Sequence, residues 1–207
     1  GTLLAENTLE KKENNYIISL LLTDDTISMA VADISTGYFS LLEENPSDIT
    51  GELKTLLMHY KPSECLLSEE LYNDPVLLKL LHEQRGMNIF PSKHFPLSVS
   101  EAEKFLTKHF GVKTLESFGL SSLKTSLIAG AGLLTYLIET QNGSLPHIKK
   151  VTRELQADGV ILDRSTMMNL ELFATLRDHD TRGSLLSVLD ETITAMGGRM
   201  LKTWIKK

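Results

Sequence analysis

Three consecutive stretches between residues 15 and 44 alternate with a period of two and are separated only by turn-prone pairs. They are NYIISLLL (15–22), TISMAVADIS (26–35) and GYFSLLEE (37–44), punctuated by Asp24-Asp25 and Thr36-Gly37. Strand-like segments joined so tightly pair with their chain neighbours, so the spacing predicts a meander of three antiparallel strands. In the second, Ile27, Met29, Val31 and Asp33 share one face, and Ser28, Ala30, Ala32 and Ile34 share the other. Asp33 closes an otherwise apolar row.

The period then lengthens. Ser47 or Asp48 caps a predicted helix whose Ile49, Leu53, Leu56, Leu57 and Tyr60 fall at helical spacing, ending before Lys61-Pro62. ECLLS (64–68) reads as a short strand. Asp74-Pro75 is a cap followed by proline at the first helical position, with Val76, Leu77, Leu80 and Leu81 as the apolar stripe. MNIFPS (87–92) reads as another strand. Ser98 and Ser100 each precede a glutamate by three residues, a capping-box pattern for the helix EAEKFLTKHF (101–110), which stops at Gly111. A long helical pattern runs from Leu120 to Thr140 with Leu123, Leu127, Leu134 and Leu137 on its heavy side. AGAG (129–132) inside it costs about 1 kcal/mol per glycine unless close packing against a neighbour offsets the loss. The alternative, a phosphate loop, lacks both the strand-to-helix setting and a following GK[ST].

Three antiparallel strands followed by alternating helices and strands is an α/β order. It matches ribonuclease-H-like and actin-like domains, in which helices cover both sides of a mixed sheet. Asn142-Gly143-Ser144 breaks the long helix and LPHIKK leads into a second, mainly helical unit. The predicted boundary therefore gives residues 1–146 to the first unit and 147–207 to the second. In the second, GVILD (159–163) reads as a strand. Ser165 caps a helix carrying Met168, Leu172 and Leu176, Ser184 starts a short helix, and Thr194 caps AMGGRMLKTWIKK. That last helix has no stop signal, so the chain reads as a piece of something longer.

Charge narrows the chemistry. Up to Ile148 there are 11 basic and 19 acidic residues, and from Lys149 onward 10 basic and 8 acidic, the whole summing to −6. A phosphate-gripping surface needs a basic face, which argues against nucleic-acid binding by the first unit. No apolar run approaches the roughly 18–20 residues that span a bilayer, and the N-terminus lacks a secretory pattern, so no membrane and a cytoplasmic location are expected. Cys65 is the single cysteine and reads as a buried, inert thiol rather than a nucleophile. The six histidines (59, 82, 94, 109, 147 and 179) show no paired metal spacing, and no metal site is expected.

Asp33 carries the one catalytic alternative. A divalent-metal nuclease needs several carboxylates converging on two ions. Here ECLLS offers only Glu64 at its start, MNIFPS offers none, and Glu69, Glu70 and Glu101 fall on solvated helix faces. A phosphotransferase of actin-like type would use the Asp33–Gly37 turn for phosphate, but this turn has one glycine and no second turn like it follows. The favoured reading is a carboxylate that bonds the N–H groups of the Ser35-Thr36 turn and fixes the strand connection.

From Asp158 onward the chain resembles the start of the core domain of bacterial MutS DNA mismatch-repair proteins. The residues that carry the likeness are Leu162-Asp163 with Thr166, Asn169-Leu170-Glu171-Leu172, Gly183-Ser184-Leu185-Leu186, Leu189-Asp190, and Thr194-x-Met196-Gly197-x-Arg199 with the Leu201 to Trp204-Ile205 helix. Upstream, GTLL with ENN, DISTGYF, the FGV and FGL pair around Gly111 and Gly119, and LPHI resemble the connector domain of the same family. The resemblance implies a ribonuclease-H-like connector without nuclease activity, followed by a truncated core. It implies no catalytic residue and no cofactor in this chain, since neither a Phe-x-Glu mismatch reader nor GxxxxGK[ST] occurs; ATP and Mg belong to the longer protein. It further implies other MutS domains, a homodimer and mismatched duplex DNA as associations of that longer protein, and MutL as a partner. For MutL the favoured surface is the helix 101–110 with its approach, at Glu103, Lys104, Thr107 and Lys108, each of which also reads as a solvated helix position. Asp33 and Gly37 are expected to be structural, as are Arg199, pairing or capping, and Trp204, packing in the core domain.

Overall fold

A sheet of six strands organises the first unit. The computed structural model describes residues 15–84, 86–141, 145, 147–154, 164–177 and 180–206. Strands β1 (Ile17–Leu22), β2 (Ile27–Asp33) and β3 (Tyr38–Glu44) form the expected antiparallel meander. Helix α1 (Ile49–Tyr60) returns the chain so that β4 (Glu64–Leu67) lies parallel to β1, with Ile18 opposite Cys65. Two short helices, α2 (Glu69–Tyr72) and α3 (Pro75–His82), carry it to β5 (Asn88–Pro91), again parallel. Helices α4 (Val99–Phe110) and α5 (Thr125–Thr140) follow, before β6 (Thr152–Arg153) pairs parallel with β3. The sheet order β5-β4-β1-β2-β3-β6, with an antiparallel meander beside a parallel wing, is a ribonuclease-H-like mixed sheet.

Alternation gives the sheet two apolar faces, and each builds its own core. On one, Ile18, Leu20, Ile27, Met29, Val31 and Leu42 pack with Leu53 and Leu57 of α1 and Leu77 and Leu81 of α3. Ile18, Leu20, Ile27, Met29 and Val31 are fully buried, each contributing roughly 1.5–3 kcal/mol of transfer free energy. On the other face, Ile17, Ala30, Ala32, Phe39, Leu41 and Leu66 meet Ala102 and Leu106 of α4 and the length of α5.

The second face is lined by small residues where α5 lies. Ser19 Oγ donates to the Ala129 carbonyl at 2.7 Å, and Ser28 and Thr125 join their hydroxyls. A Cβ on Gly130 would lie 2.7 Å from Leu41 Cδ2, and one on Gly132 would lie 2.7 Å from the ring of Phe95. The AGAG stretch is a close-packing seam between helix and sheet; the lost helix propensity is offset by backbone approach.

Local caps follow the sequence. Asp48 accepts from Gly51 N–H, Asp74 from Val76 and Leu77 N–H, and Ser98 from Glu101 N–H at 3.2 Å. Glu101 completes the capping box from Leu97 N–H at 3.1 Å, one residue ahead of the cap.

Several expectations are corrected. Helix α5 begins at Thr125 rather than near Leu120, because residues Leu115–Phe118 form a 3-10 turn and the chain between buries Leu120 and Leu123 without helix. The division between units falls after Glu154 rather than after Pro146, since β6 joins the sheet of the first unit, which spans Asn15–Glu154. The strand predicted at 159–163 lies outside the described residues. In the second unit, α6 (Arg164–Asn169) stops short of Leu172. Glu171 takes a left-handed φ of +48° there, with its N–H on Met168 C=O and the Leu172 N–H on Met167 C=O. This is a Schellman-type stop with glutamate where glycine is usual, so no sequence signal marked it. Helices α7 (Leu185–Leu189) and α8 (Ala195–Lys206) start where Ser184 and Thr194 were expected to cap, with Thr194 Oγ1 accepting from Gly197 N–H at 3.0 Å.

Candidate functional site

The β2–β3 connection is built around Asp33. Its side chain is fully buried, and its carboxylate accepts from the Ser35 N–H at 2.9 Å and from the Ser35 hydroxyl. The Thr36 N–H closes the turn on Asp33 C=O at 3.3 Å. Gly37 takes φ +71°, and a Cβ there would stand 2.3 Å from the His147 carbonyl oxygen. Only glycine allows both the left-handed turn and that close passage of the returning chain. A metal ion held at Asp33 would need further carboxylates; among the described residues no group of three or more His, Cys, Asp or Glu is placed to hold one.

Beside this turn lies a polar cluster that sequence reasoning missed. By register Tyr16, Asp33 and Tyr38 stand in one cross-strand row on the α1 side of the sheet. Tyr16 packs edge-on against Tyr38 and Tyr60, with ring centroids at 5.8 and 5.5 Å. The Tyr38 hydroxyl donates to Glu154 Oε1 at 2.5 Å. Burial foremost, then the neighbouring Tyr60 and Glu154 oxygens, pushes the Tyr38 phenol far above its ordinary value. Burial followed by Glu154 does the same for Tyr60. Both phenols thus stay protonated as donors across physiological pH. The only sequence hint was three tyrosines at the ends of apolar elements; the meeting of Tyr38 with Glu154 across 116 positions depends on β6.

Two other long-range carboxylates fix α5. Glu43 Oε2 accepts from Lys124 N–H at 3.0 Å, Ser126 N–H at 2.9 Å and Thr125 Oγ1 at 3.2 Å. It serves as the cap that Lys124, at the N-cap position, does not supply. Near the other end, Tyr136 donates to Glu64 Oε2 at 2.9 Å, and burial together with that bond moves its phenol up to about 12. Cys65 is fully buried in β4, and burial pushes its thiol up to about 12, which leaves it inert as a nucleophile.

On α4 the expected contact residues share the outer surface. Glu103, Lys104 and Lys108 are exposed, and Thr107 is partly so. The Thr107 hydroxyl is turned inward along the helix, donating to the carbonyls of Glu103 (2.8 Å) and Lys104 (3.0 Å), so the groups offered outward are the charged ones. Ala102 and Leu106 seat the helix on the core.

In the second unit, Arg199 is half-buried on α8, and its carbonyl accepts from Thr203 Oγ1 at 3.0 Å. Trp204 departs from expectation: it is 68% exposed. Met196 and Met200 fall on the same stripe at four-residue spacing and are exposed as well, so the described residues leave this face of α8 uncovered. The packing expected of Trp204 is not made within them. Among the described residues no helix is long and apolar enough to cross a membrane.

Comparison with known proteins agrees with this architecture unit by unit. The family model described as MutS domain II matches residues 15–149, and that of MutS domain III matches residues 165–207. The chain is 34% identical over 208 residues to the DNA mismatch repair protein MutS of Symbiobacterium thermophilum, covering all of this chain and 24% of that protein. It is 32% identical over 207 residues to MutS of Halothermothrix orenii and 35% identical over 210 residues to MutS of Alkaliphilus oremlandii, with similar coverage. The chain therefore spans about a quarter of the length of the curated relatives it matches. With domain II and domain III matched in succession over a ribonuclease-H-like sheet and the helices that follow it, the chain belongs to the MutS family of DNA mismatch-repair proteins.

Proposed function

We propose that this chain is the non-catalytic connector and the opening of the core in a longer MutS-like repair ATPase. It passes conformational signals between mismatch-reading, DNA-clamp and ATPase parts and offers a surface to MutL. The observation that carries this reading is the match to domains II and III in succession along nearly the whole chain. Two packed cores on one sheet support the role of a rigid body that transmits displacement rather than absorbing it. In this reading ATP, Mg and mismatched duplex DNA are bound by the longer protein, which forms a homodimer in the cytoplasm.

For MutL the surface is the outer face of α4. Lys104 and Lys108 lie one turn apart and project from a helix anchored by Ala102 and Leu106, so their charges are presented at a fixed spacing. Charges of this kind steer the encounter and exclude wrong partners, and reversing them sets like charges against each other at a cost in affinity.

The test is calorimetric titration of MutL into the chain and into a Lys104→Glu, Lys108→Glu variant. Weak binding that falls by roughly tenfold or more on charge reversal is expected; unchanged affinity removes α4 from the interface. The isolated chain should bind neither ATP nor mismatched duplex, and tight mismatch-selective binding in a salt titration sinks the connector reading. Asp33→Asn should mainly lower the melting temperature, because Asp33 fixes the Ser35 turn; nuclease turnover by the parent chain with Mg²⁺ or Mn²⁺ that this substitution abolishes would instead make Asp33 catalytic.

A further inference from the structure

The last strand of the connector unit is held differently from the others. Only Thr152 and Arg153 pair with β3, opposite Ser40 and Leu41, whereas β2 and β3 pair along their whole lengths. Backbone pairing so short is weak by itself, and β6 lies at the edge of the sheet. A further backbone bond and several side-chain contacts add to it. The Glu154 N–H donates to Leu41 C=O at 2.8 Å, and Thr152 Oγ1 donates to Phe39 C=O at 3.3 Å. Arg153 Nη1 reaches Ser122 Oγ at 2.8 Å. The Tyr38 hydroxyl donates to Glu154 Oε1 from within the tyrosine cluster, on the side of the sheet facing α1. Upstream, Ile148 and Val151 are buried in the other core and anchor the approach independently.

We infer that Tyr38 and Glu154 form a latch that holds β6 on the sheet, so that residues 152–154 can detach and re-dock as a unit while the rest of the sheet stays folded. Glu154 is the last residue of the connector unit, so a pull transmitted along the chain from residue 155 reaches the latch first. The latch couples a displacement there to Tyr38, Tyr16 and Tyr60, and through Tyr60 to the C-terminal end of α1. Its use in signalling rests on the connector role proposed above, but its existence does not: amide exchange reads it directly, with no MutL, nucleotide or DNA present.

The experiment is native-state hydrogen exchange on the whole chain, comparing the Glu154 amide with amides of β1 and β2. A hydrogen bond to a charged acceptor typically alters an opening equilibrium by about tenfold or more. Tyr38→Phe should therefore speed exchange at Glu154 by about tenfold beyond any change at Met29 or Val31. Glu154→Gln keeps an oxygen for the Tyr38 hydroxyl and should recover part of the protection, while Glu154→Ala should not. A global loss of packing would speed Glu154, Met29 and Val31 together. That uniform response, or no change at Glu154, overturns the latch. Should Tyr38→Phe fold poorly, the Gln-against-Ala comparison at Glu154 gives the same decision.

Discussion

Glu43 is the residue whose replacement most sharply tests how helix and sheet are joined. It sits on β3 and caps a helix that begins more than eighty residues later, through one oxygen that accepts two backbone N–H groups and one hydroxyl. Removing an N-cap acceptor commonly costs about 1 kcal/mol. The negative charge near the helix N-terminus adds about 0.5 kcal/mol at a partly exposed site. Ser126 is fully buried, so its N–H cannot turn to water when the acceptor goes, which adds about a further 0.5–1 kcal/mol. Glu43→Ala should thus destabilise the connector unit by about 2 kcal/mol, or roughly 6–10 °C in Tm for a unit of this size. Glu43→Gln retains an acceptor oxygen and loses only the charge, so about 0.5–1 kcal/mol is expected. Urea unfolding followed by far-UV circular dichroism measures both; the single tryptophan, Trp204, lies in the other unit and serves as an internal control. The midpoint should fall with an unchanged slope. If Glu43→Ala stays within about 0.5 kcal/mol of the parent, or Gln costs as much as Ala, the capping argument is wrong.

Two further outcomes follow from the packing and the buried phenols. Gly130→Ala sets a helix-propensity gain of about 1 kcal/mol against the cost of a Cβ 2.7 Å from a methyl of fully buried Leu41, which overpacking data place at about 1–3 kcal/mol. Net destabilisation is expected, relieved in a Leu41→Val background, and a variant more stable than the parent refutes the close-packed seam. For pH, the folded-state values of Tyr38, Tyr60 and Tyr136 all lie above the usual 10.0, Tyr136 at about 12. A raised folded value gives stability that is fully present below the unfolded value and lost as pH rises toward the folded one. Urea midpoints should accordingly be flat to about pH 9 and fall steadily above about pH 10, with phenolate absorbance appearing together with unfolding; a midpoint still flat at about pH 11 contradicts the burial of Tyr38 and Tyr60.

Much of the connector was legible because its signals are local. Period-two alternation in β2 assigned Met29 and Val31 to one core and Ala30 and Ala32 to the other, as the two clusters show. Asp48, Asp74 and Ser98 announced their helices because a cap reaches only two or three residues along the chain. Where the local device was unusual the signal failed: Glu171 ends α6 in a conformation that sequence reading assigns to glycine. The short α2, capped by Ser68, also escaped notice, since four residues carry no periodicity. Trp204 illustrates a different limit, because an apolar stripe in sequence says that a face needs cover without saying which segment supplies it.

By itself, then, the sequence determined the α/β order, the antiparallel meander, most helix starts and the family, because each is written in spacings of a few residues or in an ordered series of them. The tertiary structure decided which distant groups meet: Glu64 with Tyr136 across 72 positions, Glu43 with Thr125 across 82, and Tyr38 with Glu154 across 116. It also moved the unit boundary to Glu154, since a two-residue strand has no pattern of its own and exists only because β3 offers an edge and Tyr38 a donor. Such contacts join residues far apart along the chain, and their partners are chosen by where packing places them rather than by any preference the chain carries along its length.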